Sequence, residues 1–238
     1  MEIADNLARV RERIATAARR AGRSEGEIIL MAVTKTFPAE RIREAYAAGL
    51  RVFGENRVQE FAAKAASVAD LEGATFHLIG HLQSNKAVKA AELFQAVDSL
   101  DSLRLARKLE EAAARLGRRL SVLVEINLGG EEQKTGIAEG SYEWEELLRA
   151  APSLEHLEFR GLMAIPPYTE DPEGARPFFR RLREVREKLA ARQPPPIACD
   201  VLSMGMSHDF EVAIEEGATC VRVGAAIFGA RASKSFIG

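Results

Sequence analysis

Apolar residues recur at Ile3, Leu7, Val10 and Ile14, a helical spacing that predicts an amphipathic helix within residues 1–22, docked on the body of the protein. Beyond it the pattern changes to short apolar runs at 28–33, 51–55, 75–79, 95–98, 120–127, 157–165, 199–204 and 220–228. Several are apolar on both faces, as parallel strands covered by helices require. Helical patterns lie between them, among them 39–48, 102–116, 174–191 and 209–216. Gly22, Gly49, Gly117 and Gly217 each follow an Ala-, Leu- or Glu-rich run, where a left-handed C′ residue ends a helix. Asp171-Pro172 is a start signal, with proline at the first helical position. Strand and helix alternate throughout, which predicts a parallel α/β fold. Eight such units in roughly 210 residues predict one TIM-type (β/α)8 barrel with an extra N-terminal helix, a single domain over residues 1–238. The run Pro194-Pro195-Pro196 reads as a stiff loop entering the seventh strand.

Composition narrows the function classes. The 238 residues are 47% hydrophobic and 29% charged, and 33 Lys+Arg against 35 Asp+Glu leave a net charge of −2. No global field draws the chain to nucleic acid or an anionic membrane. The longest apolar run, 28–33, is far short of the ~18 residues of a spanning helix. Cys199 and Cys220 have no metal-ligand spacing and read as buried side chains in a reducing compartment. The Arg-rich N-terminus is interrupted by Glu2, Asp5 and Glu12 and has no apolar core, so it resembles no targeting signal. A cytoplasmic protein is expected.

In a barrel of this type the site lies at the C-terminal ends of the strands, and phosphate sites commonly follow strands seven and eight. Strand one ends in Met31-Ala32-Val33-Thr34-Lys35, where period-two alternation places Lys35 on the face of Val33. A lysine at a barrel mouth is partly desolvated, which favours its neutral, nucleophilic form. The plainer alternative is a lysine reaching solvent at a strand end. The strand-seven exit, Ser203-Met204-Gly205-Met206-Ser207, has small residues for close approach of a ligand, and Ser207 is placed to cap the helix beginning near Asp209. The strand-eight exit holds Arg222 and Gly224 on one face. Either loop alone also reads as an ordinary turn. Together with Lys35 they predict a phosphorylated carbonyl ligand. Asn56 and Met163, at other strand ends, are candidates for a ligand oxygen and a flat ring, or else a turn asparagine and a core methionine. His77 and His81 share no helical face, so no metal site is expected. The Arg-rich stretch 176–192 carries a packing stripe of Phe178, Leu182, Val185 and Leu189, and its charges read as a solvated face.

The blocks Ala32-Val33-Thr34-Lys35, Phe53-Gly54-Glu55-Asn56, Phe76-His77-Leu78-Ile79-Gly80-His81-Leu82-Gln83-Ser84-Asn85-Lys86, Gly161-Leu162-Met163, Ser203-Met204-Gly205-Met206-Ser207 and 221–229 resemble the pyridoxal phosphate homeostasis protein family. The resemblance runs in order from near residue 28 to 231. It implies a barrel like the N-terminal domain of alanine racemase, with pyridoxal 5′-phosphate (PLP) bound covalently, as a Schiff base, to Lys35. It likewise implies Ser203, Gly205, Met206, Ser207 and Gly224 around the phosphate, Asn56 and Met163 near the ring, and Arg222 facing the pyridine nitrogen. Ala225 departs from the Thr or Ser common in the family and removes one hydroxyl contact. Leu78 replaces a bulkier residue.

An arginine at the ring nitrogen disfavours its protonation and weakens PLP as an electron sink. The alanine racemase relatives take a second base, a tyrosine, from an additional domain of a partner subunit, and no second domain is legible here. Tyr46, Tyr142 and Tyr168 are the only tyrosines, and only Tyr168 follows a strand end. The expectation is therefore a PLP carrier, a monomer whose partners are apo-PLP enzymes, with no catalytic residues. A PLP racemase or lyase, and an aldolase using Lys35 directly, are the alternatives. Lys134, in the glycine-flanked loop after strand five, either clamps over the site, takes PLP transiently during release, or is a solvent lysine.

Overall fold

The computed structural model describes residues 3–129 and 135–229. Eight parallel strands close into a barrel in sequence order, β1 (Ile29–Val33), β2 (Val52–Glu55), β3 (Thr75–Leu78), β4 (Ala96–Leu100), β5 (Leu120–Glu125), β6 (Leu157–Met163), β7 (Val201–Met206) and β8 (Cys220–Val223). The helices are α1 (Ile3–Arg20), α2 (Ala39–Ala47), α3 (Val58–Lys64), α4 (Ala87–Leu93), α5 (Leu103–Arg115), α6 (Tyr142–Ala150), α7 (Arg176–Ala190), α8 (Phe210–Glu215) and α9 (Ala225–Phe228). The expected TIM-type (β/α)8 barrel with its extra N-terminal helix is the fold observed.

Alternation along the strands divides the core in two. Outward residues such as Phe53, Val97, Val122 and Leu162 join the helix faces in one large apolar cluster. Inward residues Met31, Val33, Ile79 and Cys220 form a small separate cluster. The expected stripe of α1, Ile3, Leu7, Val10 and Ile14, is buried against α8 and α9. Burying each such side chain contributes roughly 1.5–3 kcal/mol. Asn6 Nδ2 donates to Ile227 O at 2.8 Å, and Arg13 makes a two-pronged contact with Glu211 at 2.6 and 2.9 Å. The four helix-stop glycines all have positive φ.

Several boundaries differ from the sequence pattern, each for a tertiary reason. The apolar run 220–228 changes structure at Gly224. Its first half is β8 and its second half is α9, because Ile227 and Phe228 bury against the helix layer. The seventh strand continues to Met206, taking in Gly205 and Met206, which were expected in a loop. On α7 it is Phe179, not Phe178, that joins Leu182, Val185 and Leu189 in the core.

Gly161 shows how tightly the strands pack. It sits at an irregularity in the β5–β6 register with φ +151°, and a Cβ there would lie 1.9 Å from Val201 O on β7. Gly161→Ala is expected to destabilise the protein by at least about 3 kcal/mol through backbone strain and steric displacement together. Urea unfolding of the two proteins checks this, and equal midpoints would contradict it.

Candidate cofactor site

The C-terminal ends of the strands surround a cavity of about 430 Å³, lined from every strand except β4. Lys35 reaches it from the turn after β1, Asn56 from the end of β2, and Ile79, Gly80 and His81 from the end of β3. Glu125, Thr135 and Ile165 form another wall, and Met206, Ser207, His208, Arg222, Gly224 and Ala225 complete it.

One end of the cavity is built from the exits of β7 and β8. Ser207 Oγ accepts hydrogen bonds from the N–H groups of Gly224, at 3.2 Å, and Ala226, at 3.4 Å. A hydroxyl that accepts twice keeps its own hydrogen to donate. Ser207 was expected to cap the helix after β7. Instead it caps α9, across the β7–β8 boundary, because the turn before α8 is closed in the other direction: Asp209 Oδ1 accepts from Met206 N–H at 2.6 Å. The sequence-local cap and the observed one put the same hydroxyl at the mouth by different routes.

Arg222 is buried inside the barrel at 3% exposure. It donates to Ser203 Oγ at 2.7 Å and to Ala164 O at 2.8 Å, which fix its guanidinium against β6 and β7. A buried guanidinium needs such partners, since desolvation without them costs several kcal/mol.

Of the residues singled out from the sequence, Lys35, Asn56, Met206, Ser207, Arg222 and Gly224 line the cavity. Ser203 is fully buried behind it and acts on it through Arg222. Met163, also fully buried, pairs in register with Glu125 and Ser203 and is not part of the lining. Gly205 faces away. Its φ is +90°, and a Cβ would lie 2.5 Å from Ala213 Cβ, so the glycine serves the packing of α8 on β7. Lys134 lies outside the described residues. Tyr168 is at the rim, 80% exposed and 5.5 Å from the His208 ring, and none of the three tyrosines lines the cavity.

Sequence reasoning missed Glu125, His81, His208 and Thr135. Glu125 had a signal, a carboxylate ending a strand whose other residues are apolar apart from Ser121. Burial raises its pKa, the Thr135 hydroxyl at 2.7 Å counters this, Asp101 reinforces it, and Arg222 and His81 oppose it, leaving the pKa above the ordinary carboxylate value. The histidines serve no metal cluster among the described residues. His81 pairs with Asp101 at 2.9 Å and His77 with Asp98 at 3.1 Å. Cys199 and Cys220 are free, and burial pushes the Cys220 thiol up to about 12. No helix among the described residues is long and apolar enough to cross a membrane.

The comparisons bear on this geometry. Residues 6–232 match the model of the alanine racemase N-terminal domain, which defines the class of barrel. A pyridoxal phosphate homeostasis protein of Aquifex aeolicus is 46% identical over 231 residues, covering 97% of this chain and 99% of the relative. Among solved structures, PipY of Synechococcus elongatus PCC7942 with PLP bound is 39% identical at a TM-score of 0.81, covering 96% of this chain and all of that one. An alanine racemase of Streptomyces coelicolor, 21% identical at a TM-score of 0.67, shares the fold; the match covers 94% of this chain and 59% of that one. Within the racemase-like barrels, the chain belongs to the pyridoxal phosphate homeostasis protein family.

The His77–Asp98 pair makes a prediction about stability. Burial alone would lower the His77 pKa, but the charge and hydrogen bond of Asp98 outweigh it, so the imidazole titrates above its ordinary value. A raised folded-state pKa adds stability that is complete below the unfolded pKa and is lost as pH rises through the folded one. The stability difference between wild type and His77→Gln is therefore expected to be larger near pH ~6 than near pH ~9. Denaturant unfolding at both values measures it, and a difference that grows with pH would contradict the assignment.

Proposed function

We propose that this chain binds PLP in the strand-end cavity, linked as a Schiff base to Lys35, and that it stores PLP and delivers it to apo-PLP enzymes without robust turnover of its own. One observation carries the reading: a lysine in the turn after β1 and the Ser207–Gly224 exits of β7 and β8 share one cavity. Relatives named for pyridoxal phosphate homeostasis, and PipY solved with PLP bound, support it.

The residues fit the group. A cavity of about 430 Å³ has room for a phosphorylated pyridine. The remaining hydrogen of Ser207, whose oxygen is held by two N–H groups at the start of α9, would donate to a phosphate oxygen. Asn56 would hydrogen-bond a ring substituent, with Met163 supporting the ring from below. Met206 and Gly224 line the phosphate end, and Gly205 lets β7 approach α8 so that Ser207 is presented there. When bound, PLP supplies an aldehyde for amine capture and, if its ring nitrogen is protonated, an electron sink. Arg222, held by Ser203 and Ala164 O, would face that nitrogen and oppose its protonation, which argues for a carrier. Cytoplasmic location and a monomeric state remain the expectation that goes with this role.

A second reading, an amino-acid racemase or lyase, has one observation in its favour. Glu125, a cavity carboxylate with a raised pKa, is a titratable group available for proton transfer.

Wild type incubated with PLP is expected to gain a visible band that borohydride bleaches, with the label on Lys35 by mass spectrometry. Lys35→Ala is expected to gain neither, and Ser207→Ala to weaken PLP binding roughly five- to tenfold. The loaded protein should reactivate an apo-PLP enzyme while leaving the α-protons of free amino acids unexchanged in D2O. Lys35-dependent exchange would favour the enzyme instead. A protein that stays colourless would remove both readings and leave the aldolase.

A further inference from the structure

We propose that the buried pair Lys64 and Glu55, with the half-buried Glu60, forms a clamp that positions Lys35 for covalent capture of an aldehyde. The proposal rests on the reading of Lys35 as the PLP-bearing amine.

Lys64 ends α3 and is 8% exposed, where a lysine would ordinarily extend to solvent. Its ammonium donates to Phe37 O at 2.9 Å and Thr34 O at 3.1 Å, and pairs with Glu55 Oε1 at 2.8 Å. All three ammonium hydrogens thereby have an acceptor. The two carbonyls belong to the turn that carries Lys35, one on each side of it. Glu55, fully buried on β2, also accepts from the Thr34 hydroxyl at 2.5 Å.

The turn itself is strained. Thr36, next to Lys35, is the only non-glycine residue with positive φ among the described residues, at +67°. A β-branched residue is an outlier there, and such a conformation persists only where its surroundings over-determine it. Glu60 supplies the missing restraint by accepting the Thr36 N–H. Thr34 N–H donates to Gly54 O at 2.9 Å and Phe37 N–H to Thr34 O at 3.1 Å, which tie down the rest.

Stability alone does not account for this arrangement. A buried ion pair replaced by apolar side chains of similar volume often leaves a protein as stable or more so. Glu55 Oε2 is buried without a hydrogen-bond partner, and burial raises the Glu55 pKa against the opposing charge of Lys64. What the clamp does provide is a fixed backbone under Lys35. Schiff-base formation joins the neutral amine nitrogen to the aldehyde carbon and releases the carbonyl oxygen as water. It therefore demands a set direction of approach, and misplacement by a fraction of the chain's freedom slows it steeply.

The test compares Glu55→Gln/Lys64→Met, which removes the buried pair together and leaves Glu60, 3.7 Å from Lys64, partly exposed to solvent, with Glu60→Ala and Glu60→Gln. Each protein is mixed with saturating PLP, the visible band is followed in time, and borohydride-reduced product is mapped by mass spectrometry. The paired variant is expected to label Lys35 at least about tenfold more slowly. Competition by inorganic phosphate and the thermal midpoint should stay near wild type. Glu60→Ala should slow labelling as well, and Glu60→Gln should restore it, because its amide oxygen still accepts the Thr36 N–H. Wild-type rates and spectra in the paired variant and in Glu60→Ala would overturn the clamp while leaving PLP on Lys35 intact. If the paired variant does not fold, the two Glu60 variants decide alone. Failure of wild type to label Lys35 would overturn the parent reading, and this one with it.

Discussion

The pairing of β1 with β8 is the contact on which the candidate site depends. It joins strands from opposite ends of the chain, with Met31 opposite Arg222 and Ala32 opposite Val223. Because side chains alternate, this register turns Met31 and Val33 inward beside Arg222 and Gly224, and Lys35, in the turn that follows, lines the same cavity. A slip of one residue would turn Val33 into the helix layer. Closure also gathers the C-terminal strand ends at one mouth, so Lys35, Ser207 and Gly224 line one cavity.

The inside of the barrel is where packing gives way to chemistry. Met31, Val33, Ile79 and Cys220 fill part of it as an ordinary apolar cluster. Arg222 and the His77–Asp98 pair occupy polar positions whose burial is tolerable only because each group has a partner at hydrogen-bond distance. Those partners come from other strands, so the orientation of the guanidinium is set before any ligand arrives. Such preorganisation suits a site that must hold a charged cofactor in one pose. Outside the barrel, α1 covers α8 and α9, and so supports the two strand exits that close one end of the cavity.

Much of this was legible along the chain, because periodicity reports a residue's face directly. The stripe on α1, the eight apolar runs and the four helix-stop glycines all followed from spacing and turn chemistry. Where spacing was ambiguous the reading slipped. Phe178 and Phe179 both extend the stripe of α7, and only packing against the sheet selects the second. The run 220–228 is apolar in both its strand and helical halves, so composition alone does not mark the change at Gly224.

The sequence by itself determined the fold class, the single barrel and the residue types gathered at its mouth, since these depend on local periodicity and on ordered motifs. Tertiary structure decided which hydroxyl caps which helix, that Gly205 serves α8 rather than the cavity, and that Glu125, His81 and Lys64 belong to the site or its support. The physical reason is range. Alternation and capping act over a few residues, whereas Ser207 with Ala226, Arg222 with Ala164, and Lys64 with Thr34 are contacts between separate elements. They exist only after the strands have closed the ring.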